Sequence, residues 1–205
     1  VKEIIARKIP LVLIDRMISN VNCDVVLVDN LNASYDAVEQ LIIRGHRRIG
    51  IIAGPQNVYT AQERLKGYIR VFEDYGLKVD SRLIKQGDYQ IESGYHLLQE
   101  LMKIEQPPTA VYVTNYEMTI GSIIAINENN IKIPDEISFI DFDNQDLARI
   151  VKPALSIVVQ PVQKIGETAA QVLLKRLKKD LRGFPLVARL KTQLLIRDSI
   201  KKVEG

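Results

Sequence analysis

The stretch LIIRGHRRIGIIAGP, residues 41–55, contains a change of hydrophobic period. Val38, Leu41 and Ile42 stand at i, i+3 and i+4, the spacing of one helix face, and Gly45 follows where a helix C′ residue belongs. Ile49 to Ala53 is then an unbroken short apolar run, which reads as a strand covered on both faces. A helix that turns through glycine into such a strand is one half of a crossover unit.

The same alternation continues in both directions. Strands are expected at Leu11 to Ile14, Val25 to Val28, Leu83 to Gln86, Ala110 to Thr114, Ile137 to Phe142 and Leu190 to Ile196. Between them lie helical periods. One begins near Thr60 and carries Ala61, Leu65, Tyr68, Ile69 and Phe72 as a stripe that stops at Gly76, which leaves Thr60 and Arg64 one turn apart on a neighbouring face. Others run from Ser93 to about Lys103, from Glu117 to about Asn129, and from near Val162. Strands alternating with helices give an α/β class with parallel sheets.

Composition narrows the function classes. The 205 residues carry 28 Lys plus Arg against 25 Asp plus Glu, a formal charge of +3, with 46% hydrophobic residues. That is an ordinary globular balance, with too little basic excess to signal nucleic acid binding. The one basic cluster, Lys175, Arg176, Lys178, Lys179 and Arg182, closes a helical period before Gly183 and reads as cations at a helix C-terminus. A single cysteine, Cys23, excludes an internal disulfide and a cysteine-built metal cage, and suits a reducing compartment. No apolar run approaches the roughly 18 residues of a membrane span.

The residues that would carry catalysis are sparse. The two histidines, His46 in a helix-to-strand turn and His96 on a helix, lack partners at metal-ligand spacing, and structural roles are expected for both. Phosphate-cradling glycine loops and a nucleophile elbow are missing. Asp141 and Asp143 at a strand end offer a superficial likeness to an aspartate-nucleophile phosphatase, but Gln145 stands where that motif carries Thr. The expectation is a protein that is not an enzyme and uses no cofactor and no metal.

Taken together, IPLVLIDR (9–16), LIIRGHRRIGIIAGP (41–55), QERLKGY (62–68), QGDYQIESGY (86–95), PPTAVYVTN (107–115), IPDEISFIDFDN (133–144) and PALSIVVQPVQKIGETA (153–169) resemble the effector-binding region of the LacI/GalR family of bacterial transcription repressors. The likeness runs nearly end to end. It implies the type 1 periplasmic-binding-protein fold, two Rossmann-like lobes with a sugar or related metabolite held in the cleft between them. It further implies that Arg64, Asn115 and Asp143 hydrogen-bond the effector, that Tyr89 packs on it, and that Asp15, Thr60 and Gln160 line the cleft.

Physical chemistry agrees on where these residues stand, because ligands of open α/β sheets bind beyond the C-terminal ends of the strands. Asp15, Tyr89, Asn115 and Asp143 each follow an expected strand, and Thr60 and Arg64 lie just past the loop 54–57. Arg offers a planar fork of donors and Asp accepts from two adjacent hydroxyls, so the pair suits a sugar edge. Two positions depart from the family. Tyr116 replaces the usual Asp after the Asn, a less certain contact that trades an acceptor for an aromatic face. Asp141 replaces the usual Gly, and either adds charge to the cleft rim or faces solvent at the strand end.

The resemblance also sets expectations for the whole protein. The chain begins in what resembles the helix before the fourth strand of the first lobe, so the first lobe, about residues 1–47 plus 154–186, is expected to be incomplete, with an open strand edge, as in a truncated piece. The second lobe, about 48–153 plus 187–205, is expected whole. The helix-turn-helix reader of operator DNA is absent from this chain. A homodimer in the cytoplasm is implied, with no membrane partner. A periplasmic sugar-binding protein serving a transporter is the alternative that shares the fold, and a phosphatase the more distant one.

Overall fold

The structure, a computed structural model, describes residues 1–18, 20–143 and 145–203. Asn144, the last residue of the IPDEISFIDFDN stretch, lies outside them. The chain forms two compact units, one of Val1–Asn30 with Gln160–Thr192 and one of Leu31–Val159 with Gln193–Gly205. These bounds differ from the expected ones at three places: residues 31–47 and 154–159 belong to the larger unit, and residues 187–192 to the smaller.

The larger unit contains α2 (Asn30–Ile43), β3 (Ile49–Ala53), α3 (Tyr59–Asp74), β4 (Ile84–Gln86), α4 (Ile91–Met102), β5 (Ala110–Val113), α5 (Tyr116–Glu128), β6 (Ser138–Phe142), α6 (Gln145–Ile150), β7 (Ser156–Val159) and β9 (Gln193–Leu195). Its sheet has the order β4-β3-β5-β6-β7-β9, parallel except for the β7–β9 pair. Residues alternate between two buried layers. Ile49, Ile51, Tyr112, Ile140 and Phe142 meet α2 and α3, while Ile52, Val111, Val113, Phe139 and Ile157 meet α4, α5 and α6. This two-sided cover is why the strands read as continuous apolar runs. Helix α2 was expected in the first lobe. Its Ala37, Val38, Leu41 and Ile42 instead pack with Ile49 and Phe72, which places it with the larger unit.

The smaller unit contains the short α1 (Lys2–Ala6), β1 (Val12–Ile14), β2 (Asp24–Val28), α7 (Val162–Leu177) and β8 (Val187–Leu190). Its parallel sheet has the order β1-β2-β8. Val26, Val28, Ile165 and Ala169 form its buried cluster. The expected single strand from Leu190 to Ile196 is divided: β8 pairs with β2, β9 pairs antiparallel with β7, and the two belong to different units. The apolar run Ser156 to Val159, not expected as a strand, is β7.

Arg176 lies in the last turn of α7, as expected of a cation at a helix C-terminus, and is buried there, with Nε and Nη2 donating to the two Asp24 carboxylate oxygens at 2.7 and 2.9 Å. Nη1 donates to the Asp180 and Arg182 carbonyls, and the Leu186 N–H donates to Asp24. Burial pushes the Asp24 carboxyl up, but the bonds from Arg176 and Leu186 outweigh it and hold the group below the usual carboxylate range. The pair fixes the end of α7 to the start of β2 and to the chain entering β8.

His46 and His96 have structural surroundings. His46 is fully buried, with Nδ1 2.8 Å from Thr109 Oγ1 and Nε2 3.2 Å from the Lys201 carbonyl. Burial, with the cations Lys201, Arg44 and Arg47 nearby, pushes it below the ordinary imidazole range. His96 lies on the exposed face of α4, 2.7 Å from Glu92. Cys23 is buried, which raises its thiol pKa and disfavours the reactive thiolate.

Candidate functional site at the strand ends of the larger unit

In the larger unit the chain goes from β3 outward to β4 on one side and then returns across to β5 on the other, so strand order reverses between β3 and β5. The C-terminal ends of those two strands are therefore the topological switch point, where a crevice opens in sheets of this kind. The β5 end is stapled to β3 there: the Thr114 N–H and Oγ1 both bond the Ile52 carbonyl, at 3.1 and 2.9 Å.

Arg64 reaches this point from the second turn of α3. It is buried, and its Nη1 donates to the Thr114 carbonyl at 2.6 Å while its guanidinium carbon lies 3.6 Å from the centre of the Phe142 ring. A desolvated cation over an aromatic face is an attractive and orienting contact. Arg64 thereby joins the residue before Asn115 to the residue before Asp143. A surface ion pair, the ordinary alternative for such an arginine, is not its setting. Thr60, one turn earlier, is also buried.

Tyr89 follows β4 in a turn where the Asp88 carboxylate accepts from the Gln90 N–H at 2.9 Å. Its φ is +69°, which an aromatic residue adopts only at a cost of about 1–3 kcal/mol. The ring lies against Gly54 after β3: a Cβ there would come 2.1 Å from Tyr89 Cε1, so the missing side chain is what admits the ring. Among the described residues the buried Tyr89 hydroxyl has no hydrogen-bond partner.

Asn115 is the N-cap of α5, its Oδ1 accepting from the Met118 N–H at 2.8 Å. Tyr116 follows as the first helical residue, with 45% of its surface exposed. Asp143 follows β6 with φ +82°, its N–H bonded to the Val158 carbonyl at 2.9 Å. The larger unit thus brings Thr60, Arg64, Tyr89, Asn115, Tyr116 and Asp143 to one sheet edge. Asp15 and Gln160 belong to the smaller unit. Asp15 ends β1 with φ +64° and its N–H on the Val26 carbonyl, and Gln160 precedes α7. Three of the expected contacts, Asp15, Tyr89 and Asp143, are thus non-glycine residues with left-handed backbone at strand ends, the kind of strain that collects at functional sites.

Asp141 does not face solvent. It is fully buried and accepts from Thr119 Oγ1 at 2.6 Å, with that hydroxyl 3.0 Å from the Asn115 carbonyl. Asp143 is exposed, so the two carboxylates do not sit as the matched pair a phosphatase would use. Among the described residues no cluster of three His, Cys, Asp or Glu side chains is placed to hold a metal.

Sequence reasoning missed the layer beneath. The Tyr112 hydroxyl is 2.7 Å from Ser34 Oγ in the interior, where burial pushes it well above the usual phenol range, with Arg64, Asp141 and Tyr89 all close enough to act on it electrostatically. A tyrosine inside the apolar run AVYV was the available signal, since a buried hydroxyl has to find a partner.

Residues 38–200 match the periplasmic binding protein-like domain. The HTH-type transcriptional repressor CytR of Escherichia coli (strain K12) is 36% identical over 169 residues, 82% of this chain and 50% of its own length. The chain thus spans about half the length of the curated relatives it matches. Among solved structures, a LacI-family regulatory protein from Chloroflexus aggregans superposes with a TM-score of 0.87 at 28% identity, over 97% of this chain and 71% of its own. The transcriptional regulator CelR in complex with cellobiose gives a TM-score of 0.87 at 27% identity, over 94% and 59%. None of the described helices is long and apolar enough to cross a membrane. With its doubly covered parallel sheet and this match across most of its length, the chain belongs to the periplasmic binding protein-like family in the form found in LacI-type regulators.

Proposed function

We propose that this chain is the effector-sensing part of a LacI/GalR-type transcriptional repressor that binds a sugar or related small metabolite. The single observation that carries the reading is Arg64, a buried guanidinium held by the Thr114 carbonyl and the Phe142 ring at the switch point of the sheet. A planar donor fork fixed there is suited to a hydroxyl-bearing ligand. Asp143 supplies an acceptor, Asn115 its amide, Thr60 a hydroxyl, and Tyr89 an aromatic face whose buried hydroxyl a ligand oxygen would satisfy. Tyr116 contacts one end of the ligand, and Asp15 and Gln160 are further ligand contacts carried by the smaller unit.

Gating follows from differential affinity. An effector that binds one conformational state better than another shifts the equilibrium toward it, and a complete switch takes about 5.5 kcal/mol of difference. In a cytoplasmic homodimer that shift would change the spacing of two helix-turn-helix readers on operator DNA. The repressor names of the relatives support this reading over a transporter's binding protein, and the cellobiose bound by CelR supports a sugar.

The test is a thermal-shift screen of sugars, sugar acids and sugar phosphates. A ligand at 100 times its Kd adds about 2.7 kcal/mol of stability. At least one compound is expected to raise Tm in wild type and to lose that effect in Arg64→Ala; binding undisturbed by that substitution would remove Arg64 from the site.

A further inference from the structure

We propose that the smaller unit holds a second ligand site, at the N-terminal edge of its sheet, which takes a monocarboxylate with an apolar body, such as a medium-chain fatty acid. The site is built from residues of the smaller unit alone and is independent of the sensor reading. A cavity of about 560 Å³ opens there, walled by the end of α1, the entries to β1 and β2, and the end of α7 with the loop that follows it. That volume falls within the range of small-molecule sites. Apolar side chains make most of the wall. Ile5, Ile9, Leu177, Leu181 and Phe184 all reach it, and Leu177 and Leu181 keep 59% and 65% of their surface exposed. A single exposed leucine is ordinary, whereas several exposed around one concavity are what an apolar ligand would cover.

The charged groups of the wall are Asp24, Arg176, Lys8 and Lys179. Asp24 and Arg176 neutralise one another through two hydrogen bonds, and the Arg176 guanidinium carbon also lies 5.4 Å from the centre of the Phe184 ring. The acids nearby in the chain are taken as well, Glu3 by Arg7 and Asp180 by Arg182. Lys8 and Lys179 remain: among the described residues their ammonium groups have no hydrogen-bond or ion-pair partner. The apolar wall therefore carries two uncompensated cations. Each lysine holds the same place in its helix, Lys8 after the C-cap Arg7 of α1 with φ +57° and Lys179 after the C-cap Lys178 of α7 with φ +61°. Glycine is the usual residue there. The helix dipole favours a cation near either terminus, but it does not bring two of them from separate helices to one apolar cavity. The ligand's chemistry follows. An apolar body displaces water from the leucines and isoleucines, and one carboxylate meets two flexible point charges. A phosphate would call for the rigid donor fork of an arginine, and Arg176, the arginine of the wall, is committed to Asp24.

The experiment is calorimetry of the 205-residue chain with decanoate, decanol and decylamine, followed by hydrogen exchange with and without decanoate. Decanoate is expected to bind one to one, about tenfold tighter than decanol, with decylamine weaker than both. It should protect the amides of residues 5–9 and 176–184. Lys8→Gln combined with Lys179→Gln should weaken decanoate about tenfold and leave decanol within about twofold, while Leu181→Asp should weaken both. All three positions are exposed, so the fold is expected to survive each change. Decanol binding as tightly as decanoate, a charge variant without effect, or protection confined to other residues overturns the proposal. So does a chain that ignores decanoate but binds phosphatidylglycerol vesicles, or one that ignores it and doubles its mass in light scattering until Leu181→Asp restores the single copy. The cavity would then face a membrane in the first case and a second copy in the other. None of these results bears on the strand-end site of the larger unit.

Discussion

Each unit of this protein buries an arginine, and the two are put to opposite uses. In the smaller unit Arg176 stands at the N-terminal edge of the sheet, both Asp24 oxygens and two carbonyls around it. In the larger unit Arg64 stands at the C-terminal edge, over an aromatic ring and against a carbonyl. A parallel sheet makes these edges chemically unequal, because the loops that follow its strands converge only at the C-terminal one. The buried charge at the N-terminal edge ties elements together; for the one at the C-terminal edge we propose a ligand contact.

The comparison can be broken first on stability. Asp24→Ala leaves the Arg176 charge buried and unmatched, and should lower unfolding free energy by about 3–5 kcal/mol in urea titrations. Replacing both partners, Asp24→Leu with Arg176→Met, should cost much less, since no charge is then left stranded. A double variant as unstable as the single one would mean that the pair's role is something other than matched burial.

Arg64→Ala should act on binding instead. A loss of about 2 kcal/mol, near thirtyfold in Kd for the best sugar of the panel, is expected because its ligand and protein partners both lose a donor. Asp24→Ala, measured where it remains folded, should leave that Kd within about twofold. An Asp24 variant that weakened binding as much as Arg64→Ala would erase the distinction between the two arginines.

Acid separates the units as well. The folded pKa of His46 lies below its unfolded value of 6.5, so the contribution of the neutral ring is complete above pH 6.5 and declines below it. The slope is at most about 1.4 kcal/mol per pH unit. The Asp24 carboxyl is depressed, so its contribution is present above about pH 4 and lost as pH falls through the folded value. Hydrogen exchange should therefore show the larger unit loosening between pH 6.5 and 5 while the smaller holds to about pH 4. His46→Gln should flatten the first response; an unchanged slope would assign it elsewhere.

The smallest effect is expected at Tyr116. It is exposed at the start of α5, so Tyr116→Asp should change stability by no more than about 0.5 kcal/mol. It should still reorder the sugars, by restoring an acceptor at that end. Unaltered ligand preference would take Tyr116 out of the site.

Why some of this was legible in the sequence follows from the range of the forces involved. Strands covered on both faces are continuous apolar runs, so β2, β3, β5 and β6 could be read directly, and Gly45 and Gly76 marked helix ends with φ of +92° and +63°. The unit boundaries were not legible. Helix α2 and strand β8 are sorted by partners far along the chain, Phe72 for one and β2 for the other, and local period says nothing about those partners. The site residues were recognisable by their places after strands, but their environments were not. That Arg64 is buried over Phe142, that Asp141 is enclosed rather than solvated, and that Arg176 pairs with an aspartate 152 positions away all depend on long-range packing. Residue type can propose a contact, while only the fold decides whether a charge is enclosed.

Hydrogen exchange with and without the tightest-binding sugar tests the central claim most directly. Protection is expected at the amides of residues 54–64, 87–91, 114–119 and 142–143, which end β3, β4, β5 and β6, with the N-terminal edges around His46, Thr109 and Asp24 unchanged. Protection concentrated at those N-terminal edges, with the strand ends unaffected, would contradict the account.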